Sequence, residues 1–533
     1  MIERPTIYQR RMVIGAVISA AAFALVGARL IDVTLFKPNV AGGDQIGRPA
    51  MARADMVDRN GELLARDLPV ADLYARPHTL DDKMQAAREL AAATGADYSR
   101  LLEGFNNTKH PYVLVARRLT PDAQDRVMHL GLPGLEFEPS AKRFYPNGRG
   151  TAQLLGVTDP DGKGVSGLEQ GLDARLREVD ATATVQLSVD MRVQYILASE
   201  VEASRQMFHA KKAGGVVMDV RTGEVLAMVS LPDFDPNFRQ ITADDSDHNI
   251  MAADRYELGS VFKVLTFAMA MEDHTTRPDE VFAIGNGYKI GKYTIHEAEH
   301  MPAVLTARDV LAHSSNIGTA QIAMRSGPVR QAAFLRSLGL LGSLRSELPE
   351  FARPLYPTHW GTIETATIGF GHGIAVEPLA YISAAASVVN GGRRIIPTFL
   401  KTDVDRRGAQ VIKPETSAEM RELLRYVVTN GTGRKADIAG YDVGGKTGSA
   451  EKPGPHGGYQ SHVLVTSFFA AFPIEAPRYI VFVLLDEPHG TKETGGLALA
   501  GLTAAPLAGR VISRIAPLLG VPQKPVTVAR ENT

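Results

Sequence analysis

One stretch near the middle of the chain, Tyr256-Glu-Leu-Gly-Ser260-Val-Phe-Lys263 followed by Val264-Leu-Thr-Phe-Ala-Met-Ala270, leaves few ways to fold. Between Ser260 and Ala270 the only charged residue is Lys263, and the remaining side chains are apolar enough to cover every side of a helix. Such a helix belongs in the middle of a domain. A lysine carried into that interior calls for a chemical reason. Positions i and i+3 share a helix face, so Ser260 in the first turn and Lys263 one turn later bring a hydroxyl and an amine together. Desolvation favours the neutral amine, which can take the serine's proton and leave a nucleophilic alkoxide. The free N–H groups of the helix N-terminus favour negative charge at Ser260.

Ser-x-x-Lys alone arises by chance in a chain of this length, so its weight depends on the motifs downstream. Ser314-Ser315-Asn316 comes next, and Lys446-Thr447-Gly448 lies in the Gly-rich run Gly444-Gly445-Lys446-Thr447-Gly448-Ser449. Ser-x-x-Lys, Ser-x-Asn and Lys-Thr-Gly, in that order, form the triple signature of serine acyl-transferases that act on penicillin and its natural mimic. Taken singly, Ser314 and Asn316 read as caps of a helix beginning near Ile317, and Lys446 as a solvated edge lysine. The ordered triple outweighs those readings.

With 533 residues, 44% of them hydrophobic and 22% charged, the chain is globular and long enough for two or more cores. A net charge of −1 gives no footprint for nucleic acid. There is no cysteine, which excludes disulfides, thiol catalysis and cysteine-ligated zinc, and suits a bacterial envelope protein.

The N-terminus carries Arg4, Arg10 and Arg11, then an uncharged run from Met12 to Ala28. At the helical rise this run spans about 25 Å against a hydrocarbon core of about 30 Å, and Leu30, Ile31, Val33 and Leu35 extend it. We expect a retained anchor over 12–36 behind a cytoplasmic tail 1–11, with the rest outside the cytoplasm by the positive-inside bias. A cleaved signal peptide ending near Ala20 to Ala22 is the alternative. Gly15, Ala16, Ser19, Ala20 and Ala22 give the anchor a close-packing side suited to a partner helix.

Residues 37–185 mix short strands and helices without a repeat or a catalytic constellation, opening with an Asn60-Gly61 hairpin signal. A helical pattern covers Asp82 to Thr94, and Val113 onward is strand-like. Residues 186–519 make the second domain, with 520–533 a flexible tail. A strand is expected over 185–190, a helix over 193–207, and hairpins over 213–229 and 463–485. Hairpins at both ends of a largely helical region predict one antiparallel sheet with helices on its faces, an α+β fold. Lys446 to Gly448 then lies on an exposed strand beside the Ser260 helix, with Gly448 leaving one side bare for a substrate backbone.

The chain resembles the class B, monofunctional penicillin-binding proteins, which are peptidoglycan D,D-transpeptidases, and within them the division-specific branch. The pedestal pattern of that family is matched by Arg53 to Ala65, with Ala54 in place of glycine and Met56 in place of isoleucine. Arg143-Phe-Tyr-Pro, Gly167-Leu-Glu169, Thr222-Gly223 through Ala227, Asp235-Pro-Asn237 and Gly369-Phe-Gly-His-Gly373 match as well. Leu258, Glu377 and Ser449 depart from the family pattern, the last two at positions that bear on ligand preference.

The resemblance implies a membrane anchor, a mixed α+β pedestal and a penicillin-binding domain of β-lactamase-like fold. It makes Ser260 the nucleophile, Lys263 its base, Ser314 a proton carrier to the leaving group, and Asn316 a ligand of the substrate amide. Lys446 polarises Ser314 and holds the terminal carboxylate with Thr447. Gly448 and Ser449 complete the substrate strand, with backbone N–H groups of Ser260 and Ser449 as the oxyanion hole. It implies stem peptides as substrate, β-lactams as inhibitors, an FtsW-like glycan polymerase and other divisome membrane proteins as partners, an inner-membrane septal location, and no cofactor.

Three rivals stand beside this reading. His296-Glu297-Ala298-Glu299-His300 is a literal zincin motif, but Thr294 before it and Met301-Pro302 after it would stop the helix such a site needs. A β-lactamase or β-lactam sensor keeps the fold and needs a glutamate that activates water, for which Glu297 and Glu299 are the candidates if their loop covers the mouth. An elongation-specific transpeptidase differs by resemblance alone.

Overall fold

The computed structural model describes residues 53–107, 109–178, 184–238, 248–454 and 457–525, with positions 17, 20, 21, 23 and 24 near the N-terminus. The tail 1–11, the rest of the expected anchor 12–36 and the tether after it lie outside the described residues. Among the described residues no helix is long and apolar enough to cross a membrane. Two compact units divide the chain; Pro69–Ala141 belongs to one, Ala52–Leu68 and Lys142–Thr533 form the other.

In the smaller unit three described α-helices begin at an oxygen-bearing cap. Asp82 accepts from the N–H groups of Met84 and Gln85 at the head of helix Lys83–Thr94, Asp97 heads Tyr98–Asn106, and Thr120 heads Pro121–Met128. Strand Val113–Leu119 pairs antiparallel with the second half of strand Leu63–Ala75, through Ala71 opposite Leu119 and Tyr74 opposite Leu114. Leu90, Leu101, Phe105, Val115 and Val127 fill the core between them.

The larger unit begins with the hairpin expected at Asn60-Gly61. Strand Asp55–Val57 pairs with the start of Leu63–Ala75, Asp58 accepts from the N–H groups of Asn60 and Glu62 at 2.7 and 2.8 Å, and Gly61 takes the positive φ of the turn. Three pedestal segments meet in a buried ionic knot. Glu169, fully buried, accepts from Arg53 Nε at 3.0 Å and from Arg143 Nε at 2.7 Å, while Arg143 also reaches Asp67 at 3.2 Å and Arg53 pairs with Asp173. Charges this buried persist because each has its partner.

The larger unit is built on one five-stranded antiparallel sheet in the order Gly444–Pro453, Tyr459–Phe472, Tyr479–Asp486, Lys212–Asp219, Val225–Leu231. Both faces are covered. Phe469, Phe482 and Leu484 point to the layer of helices Lys263–Glu272, Pro378–Val389 and Pro414–Asn430, where they meet Phe267, Tyr381 and Leu424. Phe468, Val481 and Val483 point the other way, onto helices Met191–Met207 and Ala504–Leu518 through Val201, Leu507 and Ile512. Alternate residues thus enter two cores, so Tyr479–Asp486 is buried at every position and reads as one apolar run. Each large side chain so buried contributes about 1.5–3 kcal/mol by leaving water.

Two local expectations change. The strand over 185–190 is only Thr184–Gln186, after which Leu187 bridges Leu400 and Asp190 turns aside to cap helix Met191–Met207. The C-terminal segment stays fastened past Leu519: Val521 is buried and the Lys524 N–H donates to Gly440 O at 2.9 Å.

Candidate active site

Ser260 is not in the first turn of an α-helix. It lies in the 3₁₀ turn Gly259–Phe262, and the α-helix begins at Lys263. Residues i and i+3 eclipse one another in a 3₁₀ turn, so Ser260 and Lys263 still share a side. The turn is gripped from three directions. Gly259 has φ +57° and donates to Gly371 O at 3.3 Å, Tyr381 donates its hydroxyl to Val261 O at 2.8 Å, and the edge strand presses on it at Gly448. A Cβ on Gly448 would lie 2.5 Å from Leu258 O and 2.9 Å from Val261 Cγ1. The Cβ side of this glycine is therefore filled by protein, and the glycine lets the strand approach the serine turn.

Lys263 is fully buried. Its Nζ donates to Ser314 O at 2.5 Å, Ser314 Oγ at 3.1 Å and Asn316 Oδ1 at 2.9 Å, which unites the first two sequence motifs. Burial first, and the Lys446 charge second, pull the Lys263 amine well below its ordinary value, while Glu297 pulls in the opposite direction. Ser314 holds φ +64°, an uncommon conformation for a residue with a Cβ, at the junction between helices Ala307–Ala312 and Asn316–Ser337. The cap of the second helix is neither Ser314 nor Asn316 but Ser315, whose hydroxyl accepts from the Gly318 N–H at 2.9 Å. Ser314 and Asn316 are thereby left to face Lys263.

Lys446 is also fully buried on the edge strand, which excludes a solvated edge lysine. Burial lowers its amine to about 7, and Nζ donates to Thr447 O at 3.1 Å and Thr447 Oγ1 at 3.3 Å. Thr447 in turn shares a hydrogen bond with Thr432 Oγ1 at 2.6 Å. The Thr432 N–H donates to Ala312 O at 3.0 Å, and a Cβ on Gly431 would lie 2.2 Å from that same carbonyl. Gly431-Thr432-Gly433 thus ties the strand of Lys446 to the helix preceding Ser314. Ser449 accepts from the Ala500 N–H at 3.0 Å through its hydroxyl.

Glu377, expected to bear on ligand preference, lies inside the fold instead. It is 2% exposed, its Oε2 accepts from the Ala352 N–H at 3.1 Å, and burial raises its carboxyl to about 8. Residues 296–300 form a bend rather than a helix, so the two histidines of the zincin pattern are not presented one turn apart. Glu297, a candidate base by sequence, has both of its oxygens tied to the residues around Asn316. Thr432 and His372 are further neighbours to which sequence reasoning assigns no role. For Thr432 the readable signal is its pair of flanking glycines; for His372 it is a histidine inside Gly371-His372-Gly373.

Beside the serine turn, Tyr459 donates its hydroxyl to Glu257 Oε2 at 2.9 Å and stacks edge-on against His372 with ring centroids 5.4 Å apart. A cavity of about 730 Å³ opens next to them, lined by Tyr256, Glu257, Gly373, Glu451 and Lys452 among others. A serine one 3₁₀ turn before a desolvated amine, two further polar side chains on that amine, and a second depressed lysine on a strand edge together suit acyl transfer from an amide.

The penicillin binding protein transpeptidase domain matches residues 213–509, and the penicillin-binding protein dimerisation domain matches residues 49–202. The probable peptidoglycan D,D-transpeptidase FtsI of Caulobacter vibrioides is 40% identical over 94% of this chain and 87% of its own length. The peptidoglycan D,D-transpeptidase FtsI of Escherichia coli is 27% identical over 97% of this chain and 93% of its own. Penicillin binding protein 3 of Mycobacterium tuberculosis in complex with aztreonam superposes with a TM-score of 0.70 at 26% identity, covering 90% of this chain and 98% of that one. A chain that carries both domain types in this order, and matches such relatives nearly from end to end, belongs to the class B penicillin-binding proteins.

Proposed function

We propose that this chain is a peptidoglycan D,D-transpeptidase in which Ser260 attacks the carbonyl between the two terminal D-Ala residues of a stem peptide. The observation that carries the reading is the meeting of the fully buried Lys263 with Ser314 and Asn316, one 3₁₀ turn from the serine. Lys263 Nζ takes the proton of Ser260 as the new C–O bond forms, which requires it to release one of its three acceptors. Negative charge on the former carbonyl oxygen is met by the backbone N–H groups of Ser260 and Ser449. Collapse expels the terminal D-Ala, whose amine takes a proton through Ser314. The acyl-enzyme then passes to an amine of a neighbouring strand, which loses its proton as the cross-link forms and Ser260 is regenerated. Asn316 holds the substrate amide, Lys446 and Thr447 its terminal carboxylate, and Gly448 and Ser449 flank it on the edge strand.

A β-lactam acylates the same serine, but its leaving amine stays attached and blocks the acceptor. Glu297, whose oxygens already accept three hydrogen bonds, is badly placed to activate water, which favours a transpeptidase over a lactamase.

The division-specific role rests on the relatives named FtsI. The uncharged run from Met12 to Ala28 behind Arg10 and Arg11, extended by further apolar residues to 36, supports a single inner-membrane anchor with the catalytic unit in the periplasm at the septum. Its small-residue side supports docking on an FtsW-like glycan polymerase among other divisome membrane proteins. Depletion tests the cellular role: filaments support division, whereas rounded cells would assign the chain to elongation.

A further inference from the structure

The segment that resembles a zinc motif sits against the N-terminus of helix Asn316–Ser337. Glu297 Oε1 accepts from Ser315 Oγ at 2.5 Å and from the Ile317 N–H at 3.1 Å, and its Oε2 accepts from the Asn316 N–H at 2.8 Å. With Ser315 serving Gly318, the N–H groups of Asn316, Ile317 and Gly318 all find acceptors, and an anion stands where the helix dipole favours one. The three residues so fixed, Ser315 to Ile317, adjoin or include every acceptor of Lys263. Ser314 on one side of the cap offers its carbonyl and hydroxyl from a left-handed backbone, and Asn316 on the other offers its amide oxygen. A left-handed serine is stable only where its surroundings hold it.

We infer that Glu297 is a positioning residue of the acyl-transfer centre: by capping helix Asn316–Ser337 it fixes Ser314 and Asn316 as acceptors for Lys263, without touching substrate. The inference rests on the proposed role of Lys263 as base. Its two oxygens are fully used in this geometry, so Glu297 does not abstract protons.

Charge gives the same residue a second, separable effect. The charged and titratable groups facing Lys263 are Lys446 from the edge strand and His372 from the Gly-rich loop, with Glu297 as the opposing carboxylate. Removing that carboxylate lets the amine lose its proton at lower pH. Glu297→Gln keeps the size of the side chain but removes the charge and turns one of the two accepting oxygens into a donor; Glu297→Asp keeps the charge and shortens the reach.

The test is the second-order rate of acylation of the full-length, detergent-solubilised chain by fluorescent penicillin, measured across pH. Glu297→Gln is expected to lower the maximal rate about ten- to a hundred-fold, as a misplaced catalytic group does, and to move the acid limb to lower pH. Glu297→Asp is expected to lower the rate while leaving the limb in place. A parental rate in Glu297→Gln overturns the inference, as does a reduced rate with an unmoved limb, which is what a merely structural cap would give. Where Glu297→Gln does not fold, the decision passes to Glu297→Asp, whose parental rate would overturn it. Failure of the wild-type chain to label at Ser260 would instead strike the proposed reaction itself, so the two failures are distinct.

Discussion

The Nζ of Lys263 lies 2.9 Å from Asn316 Oδ1, a bond between residues 53 positions apart that makes two sequence motifs one site. The lysine is neutral or charged according to what surrounds it, and its surroundings are burial, Lys446 and Glu297. A base whose amine is lowered works above its folded pKa, so acylation should rise with pH through a value well below the ordinary lysine range. Lys263→Met, which retains the packing but not the amine, should lose that limb along with at least about a hundredfold of the rate. Unfolding profiles should stay near parental; acylation at the parental rate would make the lysine structural.

Gly448→Ala tests the reading of the edge strand. Its Cβ would collide with Leu258 O at 2.5 Å, so the strand must retreat from the turn that carries Ser260. Penicillin labelling should fall by more than about tenfold with the rest of the fold intact, the cost of a small displacement at a reacting group. Equal labelling would mean that the strand is not pressed against that turn.

Glu169→Gln should be costly for a different reason. It leaves Arg53 and Arg143, both nearly inaccessible, without the carboxylate that bridges them. Breaking a buried pair from one side costs about 3–5 kcal/mol. Denaturant titration of the soluble region should show a loss of that order, whereas a loss under about 1 kcal/mol would mean that the arginines find other partners.

Glu377 supplies a pH dependence with a definite sign. Its folded carboxyl titrates at about 8 against an ordinary value of 4.5, so between those values the folded chain binds the extra proton. The contribution of this group is fully present below the unfolded value and is lost as pH rises through the folded one, with a steepest slope of about 1.4 kcal/mol per pH unit. Glu377→Gln should remove this slope and raise the melting temperature at about pH 8 relative to the parent. Parallel pH profiles of the two proteins would refute the assignment.

What could be read in the sequence depends on the range over which each signal acts. The order of Ser260, Lys263, Ser314, Asn316 and Lys446, the apolar helix, and the hairpins at 213–229 and 463–485 are local patterns, and local patterns carry their meaning along the chain. The cap supplied by Glu297 and the link from Thr447 to Thr432 join segments far apart in the chain that only the fold brings alongside, so no spacing announces them. Glu377 misleads because a charged residue beside a helix start ordinarily faces water, whereas here the helix Pro378–Val389 is buried at every position. That Gly448 also lets the edge strand press on the Ser260 turn depends on Leu258 and Val261 lying against its Cβ side, which no local pattern announces. The 3₁₀ turn at Ser260 lies beyond periodicity, since a run of about three or four residues is too short to separate a period of about 3.0 from one of about 3.6.

The most direct measurement is mass spectrometry of the soluble region after stoichiometric penicillin, with peptide mapping of the adduct over time. The account predicts one adduct, on the peptide containing Ser260, absent from Ser260→Ala and persisting long after the free drug is gone. An adduct on another residue, or one that survives in Ser260→Ala, would contradict the nucleophile. An adduct that clears within seconds would contradict the transpeptidase and make the chain a lactamase.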